Sequence, residues 1–135
     1  MANLAVICSA TRPIVIVYAA IEPAQAALVT EAGAVVRLQR KTAAPTLTAI
    51  AASLFVNHDN GSDAVATAGH TASAAGTDGR FVSHGWNSRV GFEFRPTPEE
   101  YLLIPAGTAN GFALQHTTAP PAGIYAFTIT FVEIG

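Results

Sequence analysis

Apolar and polar positions alternate along most of this chain, and the alternation is longest near its end. From Gly123 to Glu133, Tyr125, Phe127, Ile129 and Phe131 fall on one face, and Ala126, Thr128, Thr130 and Val132 fall on the other. A period of two built from aromatic and β-branched residues predicts a strand with one buried face. Pro120-Pro121-Ala122-Gly123 launches it from a turn, and it is expected to close the fold. Four large apolar side chains on one face need a sheet around them and an opposing layer above them.

The rest of the chain reads as short strands. Asn3 to Ser9 is an apolar run, Thr11-Arg12-Pro13 interrupts it, and Ile14 to Tyr18 is β-branched. Residues 1–20 are expected to form an N-terminal strand or arm that reaches a neighbour, and residues 21–135 the body of one domain. Glu22 to Gly33 fits a short helix between Pro23 and Gly33, or an irregular loop with a strand. Ala34 to Lys41 alternates, with Val36, Leu38 and Arg40 opposite Val35, Arg37, Gln39 and Lys41. Its three basic residues predict a solvated strand face, with contact to an acidic partner as the alternative. Thr46 to Asn57 is apolar on both faces and predicts a central strand. Asn60-Gly61 is a strong hairpin signal, so residues 64–67 are expected to return antiparallel. Residues 68–79 are small and polar and predict an exposed loop. Further strands are expected at Arg80–Ser83, at Val90–Phe94 before Pro96 and Pro98, at Tyr101–Pro105 and at Gly111–His116. Short strands punctuated by turns predict an all-β, single-domain antiparallel β-sandwich, jelly-roll-like in its connections.

Composition adds a surface argument. Only 12% of the 135 residues are charged, while 50% are hydrophobic and Lys41 is the sole lysine. That charge is about half the usual share for a soluble domain. Extensive coverage of the surface, by copies of the same chain or by a larger partner, accounts for it. The net charge of −2 gives no footprint for nucleic acid. No apolar stretch is long enough to span a membrane, because Arg12-Pro13 breaks the first and Pro45 precedes the second. The N-terminus lacks the basic start of a signal peptide. One cysteine, Cys8, excludes an intrachain disulfide.

Candidate chemistry is sparse. His58, His70, His84 and His116 are not spaced as metal ligands, and Cys8 is distant from all four. Asp59-Asn60-Gly61-Ser62-Asp63 has some look of a calcium loop but lacks the downstream glutamate. Glu99 and Glu100 are adjacent, so on a strand they would point to opposite faces. Trp86 lies in a turn-like Gly85-Trp86-Asn87-Ser88 context. Its ring is expected to cap a core, with a sugar-stacking or interface role as the alternative. No catalytic, cofactor-binding or metal residue is assigned, and the protein is expected not to be an enzyme.

Three stretches together resemble the small β-sandwich virion proteins of tailed bacteriophages, of the capsid decoration or cement type. They are Leu47 to Gly61, a strand ending in Asn and a polar turn; Tyr101-Leu102-Leu103-Ile104-Pro105-Ala106-Gly107; and the strand from Gly123 to Glu133. The apolar N-terminal stretch departs from that pattern. The resemblance implies a jelly-roll homotrimer in the virion, assembled in a host cytoplasm and bound to the major capsid protein or another virion protein. It implies a binding role, with no cofactor and no catalytic residues; the charge and the interrupted apolar stretches already argue against nucleic acid and membrane as partners. The alternative is a carbohydrate-binding or receptor-binding module of a phage head or tail fibre. In that reading Trp86, Tyr101 and the loops of residues 58–79 would meet a glycan.

Overall fold

A computed structural model describes residues 2–8, 10–24, 31–43, 46–50, 66–74, 76–116 and 123–135. The described strands are β1 (Ala2–Cys8), β2 (Ile14–Pro23), β3 (Gly33–Ala43), β4 (Thr46–Ile50), β5 (Thr67–Ala74), β6 (Thr77–Asn87), β7 (Phe92–Phe94), β8 (Leu102–Ile104), β9 (Gly111–His116) and β10 (Tyr125–Glu133). All their pairings are antiparallel. One sheet has the order β4-β5-β1-β9-β3-β6. The other has β2 at its centre, with β10 along one side and β7 and β8 sharing the other. This is the all-β antiparallel sandwich that the alternation predicts.

Alternation decides which residues meet between the sheets. In β2, Ile14 and Ile16 face inward, an extra residue at Val17 shifts the register, and Ala19 and Ile21 then resume the inward face. In β10 that face carries Tyr125, Phe127, Ile129 and Phe131, packed against the buried core. The six-stranded sheet contributes Val36, Leu38, Trp86, Phe112 and Leu114. Burying each such large side chain stabilises the fold by about 1.5–3 kcal/mol.

Several expectations change. Of the strand or arm expected in residues 1–20, the strand is observed, and β1 is internal to its sheet, paired with both β5 and β9, and not a projecting arm. A division at residue 20 would cut through β2. Thr46–Ile50 is an edge strand, and Thr46, Thr48, Ala49 and Ile50 are exposed, whereas a central strand was expected there. β9 takes the central role instead, with all six residues buried. Most of the expected loop at 68–79 is strand: β1 and β4 pair with β5, and β3 pairs with the start of β6, so distant strands supply the ladders that the local composition does not announce. β4 and β5 are antiparallel neighbours, but the described strands are Thr46–Ile50 and Thr67–Ala74, so the return is described later than the expected residues 64–67. The Asn60-Gly61 turn lies outside the described residues, as do the calcium-like loop and the middle of the 22–33 segment.

The β6–β7 corner carries the chain from one sheet to the other. Val90 and Gly91 both donate backbone hydrogen bonds to the Asn87 carbonyl, at 3.1 and 2.8 Å. Gly91 has φ +88°, and a Cβ there would collide with the Ile21 carbonyl oxygen. Only glycine fits this corner.

Candidate binding groove

Strand β3 places three kinds of environment side by side. Its inward face runs Val36, Leu38 and Arg40, and the two apolar residues are buried. The last position opens into a groove of about 370 Å³ at the margin between β6 and β8. Leu38, Val82, Leu102, Ile104 and Phe112 supply its apolar lining, and Arg40, Arg80 and Tyr101 its polar lining. The Nε of Arg40 is buried and makes no hydrogen bond. Among the described residues neither Arg40 nor Arg80 forms a salt bridge. A cation set against apolar walls attracts an anion strongly, because little water screens it.

The other face of β3 corrects the expectation of a solvated basic strand. Gln39 and Lys41 are fully buried, and Gln115 of β9 is 1% exposed. The Lys41 ammonium donates to Asp78 of β6, and to the Gln115 side-chain oxygen at 3.3 Å. The Gln39 amide donates to the carbonyls of Arg40 and Gly79, at 2.9 and 3.0 Å. These bonds tie β3 to β6 and β9 behind the groove. A buried lysine survives only with such partners, since an unpaired buried charge is costly. Further along this face the Arg37 guanidinium lies 4.0 Å from the centroid of the Phe81 ring, a cation–π contact.

At the opposite end of β6, Trp86 is 7% exposed and sits within the strand. Its ring stacks on His116 with centroids 5.5 Å apart and meets Tyr125 edge-on at 5.4 Å. The expected core-capping role is the one observed, and Trp86 bridges the two sheets. The indole N–H, both His116 nitrogens and the Tyr125 hydroxyl are buried without hydrogen bonds. Burial pushes the His116 pKa below its usual 6.5, since the charged ring would lose its water.

The remaining singled-out residues disperse. His84 packs against Phe92 with centroids 5.2 Å apart. The backbone of His70 lies opposite Thr48 in β5, and that of Cys8 opposite Thr67 and Gly111. His58 lies outside the described residues. Glu99 and Glu100 sit in a 3-10 turn and not on a strand. Glu100 reaches back to accept from the Thr97 N–H and hydroxyl, each at 3.2 Å. Tyr101 joins the groove, while Trp86 packs inside the core, so the two do not form one aromatic platform. Among the described residues no group of His, Cys, Asp and Glu could hold a metal ion. No helix among them is long and apolar enough to cross a membrane. An outer cluster on the four-stranded sheet joins Tyr18, Glu93 and Arg95. Hydrogen bonds from Arg95 and Tyr18 hold the Glu93 carboxyl below its usual range, and burial and Glu93 raise Tyr18.

Sequence reasoning had part of the groove within reach. Arg40 shares a face with Val36 and Leu38, so the alternation already set a cation on an apolar face. The meeting of β3 with β8, more than sixty residues later, left no local signal. No known protein family, curated protein or solved structure matches this chain.

Proposed function

We propose that this protein is a non-enzymatic structural module that self-associates and binds an assembled protein surface, in the manner of a virion decoration protein. The observation that supports this reading is the outward face of the four-stranded sheet. Val132, Val15 and Leu103 lie in register across β10, β2 and β8. Val132 is 52% exposed and Leu103 58%. Along β10 the same face continues through Thr130, Thr128 and Ala126, all exposed and none charged. Charge on this face is confined to its other part, where Glu22 and Glu93 lie in register with Ala126 and Thr128 and Glu93 pairs with Arg95; the apolar row of Val132, Val15 and Leu103 is suited to burial in a subunit contact.

In its specific form the proposal is a jelly-roll homotrimer on a phage head or tail, bound to the major capsid protein or another virion protein. A module that binds only the assembled shell stabilises it by mass action, and several weak contacts on one trimer act together. The glycan-binding alternative has no supporting observation once Trp86 is inside the core.

Light scattering at low micromolar concentration tests the self-association. The expected result is a stable oligomer that Val132→Glu converts to monomer without loss of fold. A monomeric parent protein would contradict the reading. Cosedimentation with empty phage capsids then tests the shell.

A further inference from the structure

We infer that the open margin of the sandwich binds an extended segment of a partner protein, added as a strand along β6, with an acidic side chain of that segment held at Arg40 and Arg80. This rests on the reading of the protein as a docking module and names the chemistry of one docked partner.

The first observation is the edge. β6 ends the six-stranded order and, within the sheets described, has β3 as its one strand neighbour. It runs eleven residues, against five for the other edge of the same sheet, β4. Sheet edges are normally protected by lysine, proline, short length or bulges. Thr77–Asn87 contains neither lysine nor proline. Its register irregularities lie at the start, opposite Lys41, and pairing from Phe81 to Asn87 is regular. Phe81 is 49% exposed and Val82 54%. A long, regular, partly apolar edge is a template for a further strand, and main-chain hydrogen bonds would supply the affinity.

The second observation is the groove beside that edge. An added strand directs every second side chain toward it. The apolar walls accept apolar or β-branched side chains. Arg40 calls for something more specific. Its buried Nε has no partner, and neither it nor Arg80 is neutralised by a salt bridge among the described residues. A carboxylate can take two parallel hydrogen bonds from a guanidinium, in a geometry that a neutral amide does not match. The segment that fits is therefore extended, with one Glu or Asp among apolar or β-branched neighbours.

The test uses the full chain and a short synthetic peptide of alternating valine and threonine with one central glutamate. A glutamine twin differs only in charge, and two further versions are N-methylated at alternate residues, one for each register. Fluorescence anisotropy reads binding. The glutamate peptide is expected to bind about tenfold more tightly than its twin, the gain of one charge-assisted pair. Arg40→Gln should remove that ratio, and Arg40→Lys should retain part of it. One of the two N-methylated versions should fail to bind. Equal binding of the twins, undiminished binding of both methylated peptides, or no binding of any peptide would overturn the inference. Light scattering on the same samples separates it from the wider reading. An oligomer that ignores the peptides overturns the groove alone, and a monomer that binds the glutamate peptide overturns the self-association alone.

Discussion

The two ends of the β3–β6–β9 layer hold buried polar atoms without partners, and they treat them in opposite ways. At the Trp86 end the sandwich is closed: the indole stacks on His116 and meets Tyr125 from the other sheet. Their orphaned N–H, ring nitrogens and hydroxyl are sealed in, each at a cost of about 1–3 kcal/mol that aromatic packing must offset. At the Arg40 end the sheets part, and the orphaned Nε borders a groove open to solvent. A polar group sealed in a core can only cost stability. One at an open margin can recover its missing bond from a partner. The closed end therefore serves stability and the open end recognition.

Substitutions can break this contrast in order of size. Trp86→Ala should be the most damaging, costing about 3–5 kcal/mol because it removes the bridge between the sheets and leaves a cavity. Urea unfolding measures it. A loss below about 1 kcal/mol would mean that the closed end is not a keystone of the core.

Next is the tie behind the groove. Asp78→Ala takes the carboxylate away from the buried Lys41 ammonium, which keeps its bond to Gln115. Breaking a buried pair costs about 3–5 kcal/mol, and the expected loss is toward or below the lower figure because the Asp78 side chain is 33% exposed. Lys41→Met removes the charge along with its need for a partner, and should be far milder. Similar losses in the two variants would show that the ion pair itself, and not a buried charge without its counter-ion, carries the effect.

His116 gives a smaller effect with a defined sign. Its pKa in the fold is below 6.5, and the unfolded ring titrates near 6.5. Above 6.5 both states are neutral and stability is complete. As pH falls through 6.5 the unfolded state takes up a proton that the folded state resists, so stability declines progressively down to the folded pKa. His116→Phe should remove this part of the acid sensitivity and keep the stack on Trp86. Chemical denaturation above and below that pH, with both proteins, checks it.

Arg40→Gln should change stability least, by within about 1 kcal/mol, because the Arg40 Nε already lacks a partner. A larger loss would place Arg40 with the closed end, as a structural group.

Much of this contrast was legible in the alternation. Tyr125 to Phe131, Val36 and Leu38, and Phe112 and Leu114 announced their inward faces by period alone. Local pattern failed where burial depends on a distant strand. Lys41 has the chemistry of a surface residue and is buried because Asp78 and Gln115, from strands far along the chain, meet it there. Residues 68–74 look like loop by composition and form β5, because β1 and β4 supply ladders on both sides. Trp86 lies before a turn signal, yet the turn begins only after Asn87. The groove needed β8 to pair with β2 before Leu102 and Ile104 could face Leu38 across the core.

Amide hydrogen exchange of the full chain, with and without the glutamate peptide, tests the division of roles most directly. Peptide should slow outward amides along Arg80–Ser83 in β6 and leave Phe112–His116 in β9, already protected at the centre of the sheet, unchanged. Protection that appears along β10, or nowhere, would contradict the assignment of recognition to the open end.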